Sequence, residues 1–196
     1  MKKEIFLSFK PDYFKPLLYG MKKYEYRKRF CKEPVTAYLY LSSPVQKIVG
    51  IIEFGKPIEI EKLVEDYDEE SVVYKRLMSK IECRDKYAIP IESLKLFKEP
   101  VGIKEIKEIV PSFFIPQSYL YISKYEKLYK HLQNKDLYNE EFSHSHKNVY
   151  EDNIGVTCKE VETFEDFKQK DKEYDNIKTP YLTRRKNEYR NKKSWE

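Results

Sequence analysis

The segment Gly20-Met21-Lys22-Lys23-Tyr24-Glu25-Tyr26-Arg27 is the most informative stretch of this 196-residue chain. From residue 22 to residue 29 the side chains alternate in character, which predicts a strand, because successive side chains of a strand point to opposite faces. The predicted faces are Tyr24 and Tyr26 on one side, and Lys23, Glu25, Arg27 and Arg29 on the other. Glu25 and Arg27 can therefore meet, and Lys22 can reach the same space from the turn before the strand.

A carboxylate flanked by two cations has a recognisable chemical use. The positive charges favour the ionised form of Glu25. Lys22 and Arg27 offer donors for a phosphate, and Glu25 offers an acceptor for a base or a hydroxyl group. The structural alternative is a plain ion pair between Glu25 and Arg27 that closes the mouth of a barrel. Both interpretations stay open on the sequence alone.

The residues before the motif predict a strand followed by a short helix. Glu4–Ser8 is a short apolar run, as expected of a buried strand. Phe14, Leu17 and Leu18 then recur at helical spacing. Gly20 should end that helix, because glycine adopts the left-handed C′ conformation at little cost.

The residues after the motif predict a mixed α+β domain with a curved sheet. Short strands separated by turn signals favour a barrel over a layered sandwich. Gly50, inside one predicted strand, suggests a bulge or a close backbone approach. The predicted elements are strands at Val35–Leu41, Lys47–Phe54, Tyr87–Phe97 and Tyr119–Ile122, and helical segments at 61–86, 103–109 and 124–133.

The character of the chain changes near residue 134. Apolar residues become sparse and Asn, Lys, Glu and Asp dominate. We therefore predict a domain at 1–133 and a polar C-terminal extension at 134–196, partly helical or disordered. A short helix at Phe164–Tyr174 is expected to dock on the barrel.

Positive charge is concentrated at the N-terminal end of the chain. Residues 1–56 contain twelve Lys/Arg and five Asp/Glu, while the whole chain has a net charge of only +5. A local basic surface attracts phosphate and speeds association with nucleic acid. A solubilising lysine-rich surface is the simpler alternative.

Cysteine use and hydropathy predict a cytoplasmic protein. Cys31, Cys83 and Cys158 show no paired spacing, as expected in a reducing compartment. The first residues do not resemble a signal peptide, and no stretch of about 18 apolar residues predicts a membrane span. His144, His146 and Cys158 lack an evident fourth ligand, so we expect no metal site and no cofactor.

The motif resembles the G-x-K-x-x-E-x-R signature of ASCH domains, which belong to the PUA-like superfamily. Its setting after a strand and a Pro-containing helix is similar too, and the resemblance extends over about residues 3–123. The family implies a PUA-like mixed β-barrel with flanking helices. It also implies an RNA or nucleotide ligand, with DNA as a further possibility. The residues it implies as nucleic-acid contacts are Lys22, Lys23, Glu25, Arg27, Tyr40, Ser42 and Phe114.

The resemblance leaves the activity open between three functions. The first is binding of RNA or a nucleotide in a basic cleft. The second is hydrolysis of RNA or a modified nucleoside with Lys22 and Glu25 as an acid–base pair. One branch of the family resembles a ribonuclease. Another branch hydrolyses acetylcytidine with a Thr nucleophile at the position where this chain has Glu25. A carboxylate there departs from that mechanism. The third is a protein-interaction adaptor that acts through the C-terminal extension. The sequence gives no oligomeric state.

Overall fold

The structure, a computed structural model, describes residues 3–138, 144–145 and 151–182, and these residues form a mixed α+β fold. The strands are β1 (Lys3–Phe9), β2 (Tyr24–Arg27), β3 (Val35–Leu41), β4 (Lys47–Phe54), β5 (Ile58–Glu59), β6 (Tyr87–Gly102), β7 (Tyr119–Tyr121) and β8 (His144–Ser145). The helices are α1 (Phe14–Leu18), α2 (Ile60–Leu63), α3 (Val72–Glu82), α4 (Ile103–Ile109), α5 (Glu126–Gln133), α6 (Cys158–Val161), α7 (Glu165–Glu173) and α8 (Asp175–Leu182).

The strands form one sheet in the order β2-β6-β4-β3-β1-β7, with β5 and β8 paired to β6. Strands β1 and β3 are parallel, and the other pairs are antiparallel. Strand β6 is 16 residues long: its first residues pair with β2 and the remainder with β4. Because one long strand is shared in this way, the sheet curls into a half-barrel flanked by helices. The predicted α+β class, a mixed curved sheet with flanking helices, is confirmed.

Gly50 lies at an irregularity of the sheet, as its position in β4 predicted. The register of β4 against β6 shifts between Ile48 and Gly50. A Cβ atom at Gly50 would lie 2.1 Å from the carbonyl oxygen of Lys95. Only a residue without a side chain permits this backbone approach.

Both faces of the sheet are buried. The face formed by Val35, Ala37, Leu39 and Leu41 packs against α1 and the C-terminal helices. Tyr38 and Tyr40 point to the opposite face, into a core completed by α4 and α5. This alternation is the one expected of a strand. A third core joins the β2 tyrosines to α2 and α3.

The helical region predicted at 61–86 is interrupted. Helix α2 ends after one turn, and α3 begins only at Val72. Ser71 caps α3, because its hydroxyl oxygen accepts a hydrogen bond from the amide of Tyr74 at 3.0 Å. The acidic residues between the two helices therefore lie in a short 3-10 helix, Val64–Asp66, and in the turn after it, instead of in one continuous helix.

The turn after α1 places the motif. Gly20 has a φ of 71°, as predicted for a helix-ending glycine. The amides of Met21 and Lys22 both donate to the carbonyl oxygen of Pro16 at 2.9 Å. These bonds reverse the chain, so that Lys22 lies directly before β2.

The described part of the C-terminal extension packs on the residues before it. Tyr19 donates a hydrogen bond from its hydroxyl group to Asp171 at 2.7 Å. The hydroxyl group of Tyr181 donates to the carbonyl oxygen of Phe97 at 2.6 Å, and Tyr181 is buried. A division of the chain at residue 134 stays a prediction. None of the described helices is long and apolar enough to span a membrane.

Candidate functional site

Glu25 in β2 binds two cations at once. Its Oε2 lies 3.1 Å from the Nζ of Lys22, and its Oε1 accepts a hydrogen bond from the Nε of Arg27 at 3.0 Å. The side chain of Glu25 is only 7% exposed. A carboxylate buried to this degree requires paired charges, because each ion loses its hydration. The three side chains of the motif therefore form one compact cluster.

Arg27 also connects the two ends of the sheet. Its Nη1 donates to the Oγ of Ser118, beside β7, at 3.2 Å, and its Nη2 donates to the carbonyl oxygen of Ser8 in β1 at 3.0 Å. The rings of Phe30 and Tyr119 pack edge to face across the same gap, with their centroids 5.7 Å apart. Within the described residues no backbone ladder joins β2 to β1 or β7. We call this gap, closed by side chains, the seam.

Two tyrosine rings hold the ammonium group of Lys22. Its Nζ lies 5.5 Å from the ring centroid of Tyr13 and 5.9 Å from that of Tyr26. Lys80, from α3, approaches the ring of Tyr26 at 4.9 Å. A cation near an aromatic face is stabilised by the ring quadrupole. Tyr26 thus brings together two lysines that are 58 positions apart in the chain.

Two adjoining hollows surround this cluster. The first hollow, about 820 Å³, lies between the turn at Pro11–Tyr13, β2, α3 and the segment 156–159. The second hollow, about 570 Å³, lies at the seam beside Ser8, Arg27 and Ser118. The residues that line both are Lys10, Tyr13, Glu25 and Tyr26. Together the hollows are lined by eight Lys/Arg and four Asp/Glu, so basic residues predominate in their combined lining.

Burial changes the titration of several groups in the first hollow. Burial lowers the pKa of Lys80, and the charge of Lys22 lowers it further. Burial raises the pKa of the Asp85 carboxyl group, against the opposing effect of Lys80. Burial also raises the pKa of the Cys158 thiol, so this thiol has little thiolate character.

The other residues that the resemblance implies lie away from the hollows. Lys23 lines neither hollow. Burial lowers the pKa of Lys23, and the charge of Lys170 lowers it further. Tyr40 is 2% exposed and packs on Phe6, at 5.2 Å between ring centroids, in the core under α4 and α5.

Ser42 and Phe114 also lie outside the lining of both hollows. The carbonyl oxygen of Ser42 accepts a hydrogen bond from the amide of Val45 in the turn after β3. Phe114 is 62% exposed. The structure therefore brings together Lys22, Glu25 and Arg27, and it does not bring Lys23, Tyr40, Ser42 or Phe114 to them.

No group of three or more His, Cys, Asp or Glu side chains that could hold a metal is found among the residues with described positions. His146 lies outside the described residues, and only the backbone of His144 is described. Cys158 lines the first hollow.

The residues that the sequence interpretation missed come from distant segments. Tyr13 precedes α1, Lys80 lies near the end of α3, and Thr157 caps α6. Ser118 lies within the stretch that resembles the family, but the resemblance implies no role for it. Periodicity assigns none of these residues to the motif, because their proximity arises only from the curl of the sheet and the docking of helices.

The chain has the fold of solved ASCH structures. Comparison with protein-family models and with curated protein sequences gives no significant match. The crystal structure of ASCH from Zymomonas mobilis is similar at a TM-score of 0.50 and 22% identity, over 68% of this chain and 96% of that one. A serine-to-alanine variant of the same protein, ZmASCH, is similar at a TM-score of 0.52 and 20% identity, over 69% and 98% of the two chains. These likenesses show that the chain shares the fold of those ASCH structures.

Proposed function

We propose that this chain, which has the ASCH-domain fold, binds RNA or a nucleotide in the cleft formed by the two hollows. The observation that carries the proposal is the position of the Lys22–Glu25–Arg27 cluster. It lies on the wall between the hollows, and the cleft contains twice as many basic as acidic residues. Such a cleft attracts a polyanion and gives it a defined place to bind.

Arg27 is held in place before any ligand arrives. Three of its N–H groups are used by Glu25, Ser118 and Ser8, which leaves one N–H on each terminal nitrogen. A guanidinium group fixed in this way loses little conformational entropy when it binds a phosphate. Lys28 and Arg29 follow on the same side of the second hollow and are exposed, so they are suited to further phosphate contacts.

Tyr13 provides an aromatic surface in the cleft. Its ring is half-buried, lines both hollows, and is supported by an edge contact with Phe9 at 5.7 Å. Stacking of a base on such a ring contributes about 1–3 kcal/mol and requires no particular sequence. The chemistry therefore fits a single strand or a mononucleotide better than a closed duplex.

The ion pairs of Glu25 favour binding over hydrolysis. Each of its two carboxylate oxygens is engaged by a cation, one by Lys22 and one by Arg27. An acid–base pair would have to break these contacts to move a proton. The apolar residues of the C-terminal helices, including Val161 and Phe167, pack into the core of the same chain, so residues 151–182 give no support to an adaptor function.

The experiment compares RNA affinity of two triple variants at several salt concentrations. The cleft variant is Lys10→Ala with Lys28→Ala and Arg29→Ala, all exposed at the rim of the second hollow. The control is Lys107→Ala with Lys124→Ala and Lys127→Ala, all exposed beside α4 and α5. Both remove three charges. Fluorescence anisotropy with a short labelled single-stranded RNA gives the affinities, and a DNA of the same sequence tests the choice between RNA and DNA.

We expect the cleft variant to bind RNA more weakly and with a smaller salt dependence. The slope of log K against log salt should become about 2 less steep. Each phosphate of a single strand that the protein neutralises contributes roughly 0.7 to the slope, and the variant lacks three of the neutralising charges. The control should stay close to the wild type. An undetectable affinity of the wild type at low salt, or equal effects of the two triple variants, would show the proposal to be wrong. RNA cleavage that is abolished by Glu25→Gln would favour the hydrolase instead.

A further inference from the structure

The first hollow contains two lysines side by side. The ammonium groups of Lys22 and Lys80 both lie within 6 Å of the ring centroid of Tyr26. Two like charges in a partly dry site repel each other. Glu25 is the one carboxylate paired with both Lys22 and Arg27, so it does not also offset the charge of Lys80.

Lys80 has no matching ion pair. In the part of the chain that the structure describes, no carboxylate lies within salt-bridge distance of its Nζ atom, although Asp85 lines the same hollow. Lys80 is also half-buried, so it does not extend freely into water as surface lysines do. A half-buried ammonium group beside a second cation, with no carboxylate of its own, is suited to bind an anion that enters the hollow.

The shape of the first hollow fits an anionic ligand of nucleotide size. Its volume of about 820 Å³ lies within the range of small-molecule pockets, roughly 300–1,000 Å³. Lys80 stands on one wall, and Thr157 and Leu182 of the C-terminal extension stand on another. The hollow is therefore a space built by both parts of the chain.

The C-terminal wall is held firmly. The amide of Gly155 donates to the hydroxyl oxygen of Tyr26 at 2.6 Å, and Arg76 of α3 pairs with Glu160. Gly155 has a φ of 69°, and a Cβ atom there would lie 2.6 Å from the Cβ of Arg76. Tyr26 thus contacts both lysines with its ring and the opposite wall with its hydroxyl group.

We propose that Lys80 and Lys22 form a phosphate subsite in the first hollow, which binds a phosphate group of a nucleotide. This inference rests on the proposed function and adds to it a residue from outside the motif. The phosphate bridges the two ammonium groups beside Tyr26, and the rest of the nucleotide occupies the hollow towards Tyr13. The second hollow then serves the flanking RNA backbone.

The test compares three variants in helix α3. Lys80→Met removes the charge and keeps the aliphatic stem, while Lys80→Arg keeps the charge. Lys75→Met is the control, because Lys75 lies on the same helix, is exposed, and pairs with Glu70. The ligands are the four nucleoside 5′-monophosphates with their matching nucleosides, and one short RNA carrying either a 5′-phosphate or a 5′-hydroxyl group. Calorimetric titration gives the affinities.

If the subsite binds a terminal phosphate, we expect the wild type to bind a nucleotide more tightly than its nucleoside, or 5′-phosphorylated RNA more tightly than 5′-hydroxyl RNA. If it binds an internal phosphodiester, we expect Lys80→Met to weaken the binding of both RNAs. Removal of one charge-assisted hydrogen bond should weaken binding about tenfold or more. Lys75→Met should match the wild type, and Lys80→Arg should retain most of the affinity. A loss confined to monophosphates or to 5′-phosphorylated RNA identifies a terminal phosphate as the ligand, and an equal loss on both RNAs identifies an internal phosphodiester.

The inference is overturned if Lys80→Met changes no affinity more than Lys75→Met does. That result, with RNA binding intact, would leave the proposed function standing and remove only the subsite. An absence of binding to RNA and to every nucleotide would instead remove the proposed function. Thermal unfolding of each variant shows whether a weaker affinity reflects an unfolded protein.

Discussion

Arg27 in β2 donates a hydrogen bond from its Nη1 to the Oγ of Ser118 at 3.2 Å, and this bond crosses the seam between the two ends of the curled sheet. Backbone pairing does not reach across the seam within the described residues. The same arginine holds Glu25 in place. One side chain of the motif therefore closes the half-barrel and shapes the cleft.

Replacing Arg27 should destabilise the whole domain. Arg27→Ala leaves the carboxylate of Glu25 buried with one cation fewer, and we expect the free energy of unfolding to fall by about 3 kcal/mol. Arg27→Lys should recover only part of the loss, because one ammonium group cannot reach three acceptors in a fork geometry. Urea denaturation measures both. Arg29→Ala, exposed nearby, should change the free energy by less than about 0.5 kcal/mol, and an equal loss in the two alanine variants would refute the structural role of Arg27.

The hydroxyl group of Tyr26 should secure the C-terminal segment. Tyr26→Phe leaves the amide of Gly155 without its acceptor, which we expect to cost about 1–3 kcal/mol. Tyr24→Phe is the matched control on the same strand face, since no hydrogen bond of the Tyr24 hydroxyl group occurs among the described residues. Hydrogen exchange at the Gly155 amide should accelerate in Tyr26→Phe alone. Unchanged exchange there would mean that this contact does not hold the segment.

Asp171 should make the docking of α7 sensitive to acid. Burial raises the pKa of its carboxyl group, but hydrogen bonds from Lys178, Lys15 and Tyr19 outweigh burial and hold that pKa well below its ordinary value of 3.8. A carboxyl group whose pKa is lower in the folded state than in the unfolded state stabilises the fold at pH values above its unfolded-state pKa. That stabilisation is lost as the pH falls from the unfolded-state pKa through the folded-state pKa.

We therefore expect Asp171→Asn to destabilise the protein by about 1 kcal/mol at neutral pH, because the side chain is partly exposed. The difference from wild type should shrink as the pH falls from about 5 towards 2. Thermal unfolding across this range measures the effect. Asp166→Asn, exposed on the same helix, should show no such convergence. A difference for Asp171→Asn that is constant with pH would contradict the assignment.

Local patterns predicted the elements and the motif cluster well. Strands β3 and β4 have the predicted bounds, and Gly50 and Gly20 have the predicted backbone roles. Alternation along β2 was sufficient to place Glu25 beside Arg27, because that relation depends on one strand only.

The walls of the cleft could not be predicted in the same way. Lys80 reaches the cleft only because α3 packs on the tyrosine face of β2, which is a contact between distant segments. Tyr40 shows the opposite case: a tyrosine on a strand fits a core or a cleft equally well, and here α4 and α5 cover it. Sequence composition does not distinguish these environments.

The most direct test of the central proposal locates the RNA on the protein. Amide chemical shifts of isotopically labelled protein, followed during titration with a short single-stranded RNA, report which residues change environment. We expect the largest shifts at Tyr13, in β2, and at Gln117 and Ser118, around the two hollows. Shifts confined to α4 and α5, or an absence of shifts at saturating RNA and low salt, would contradict the proposal that this cleft binds RNA.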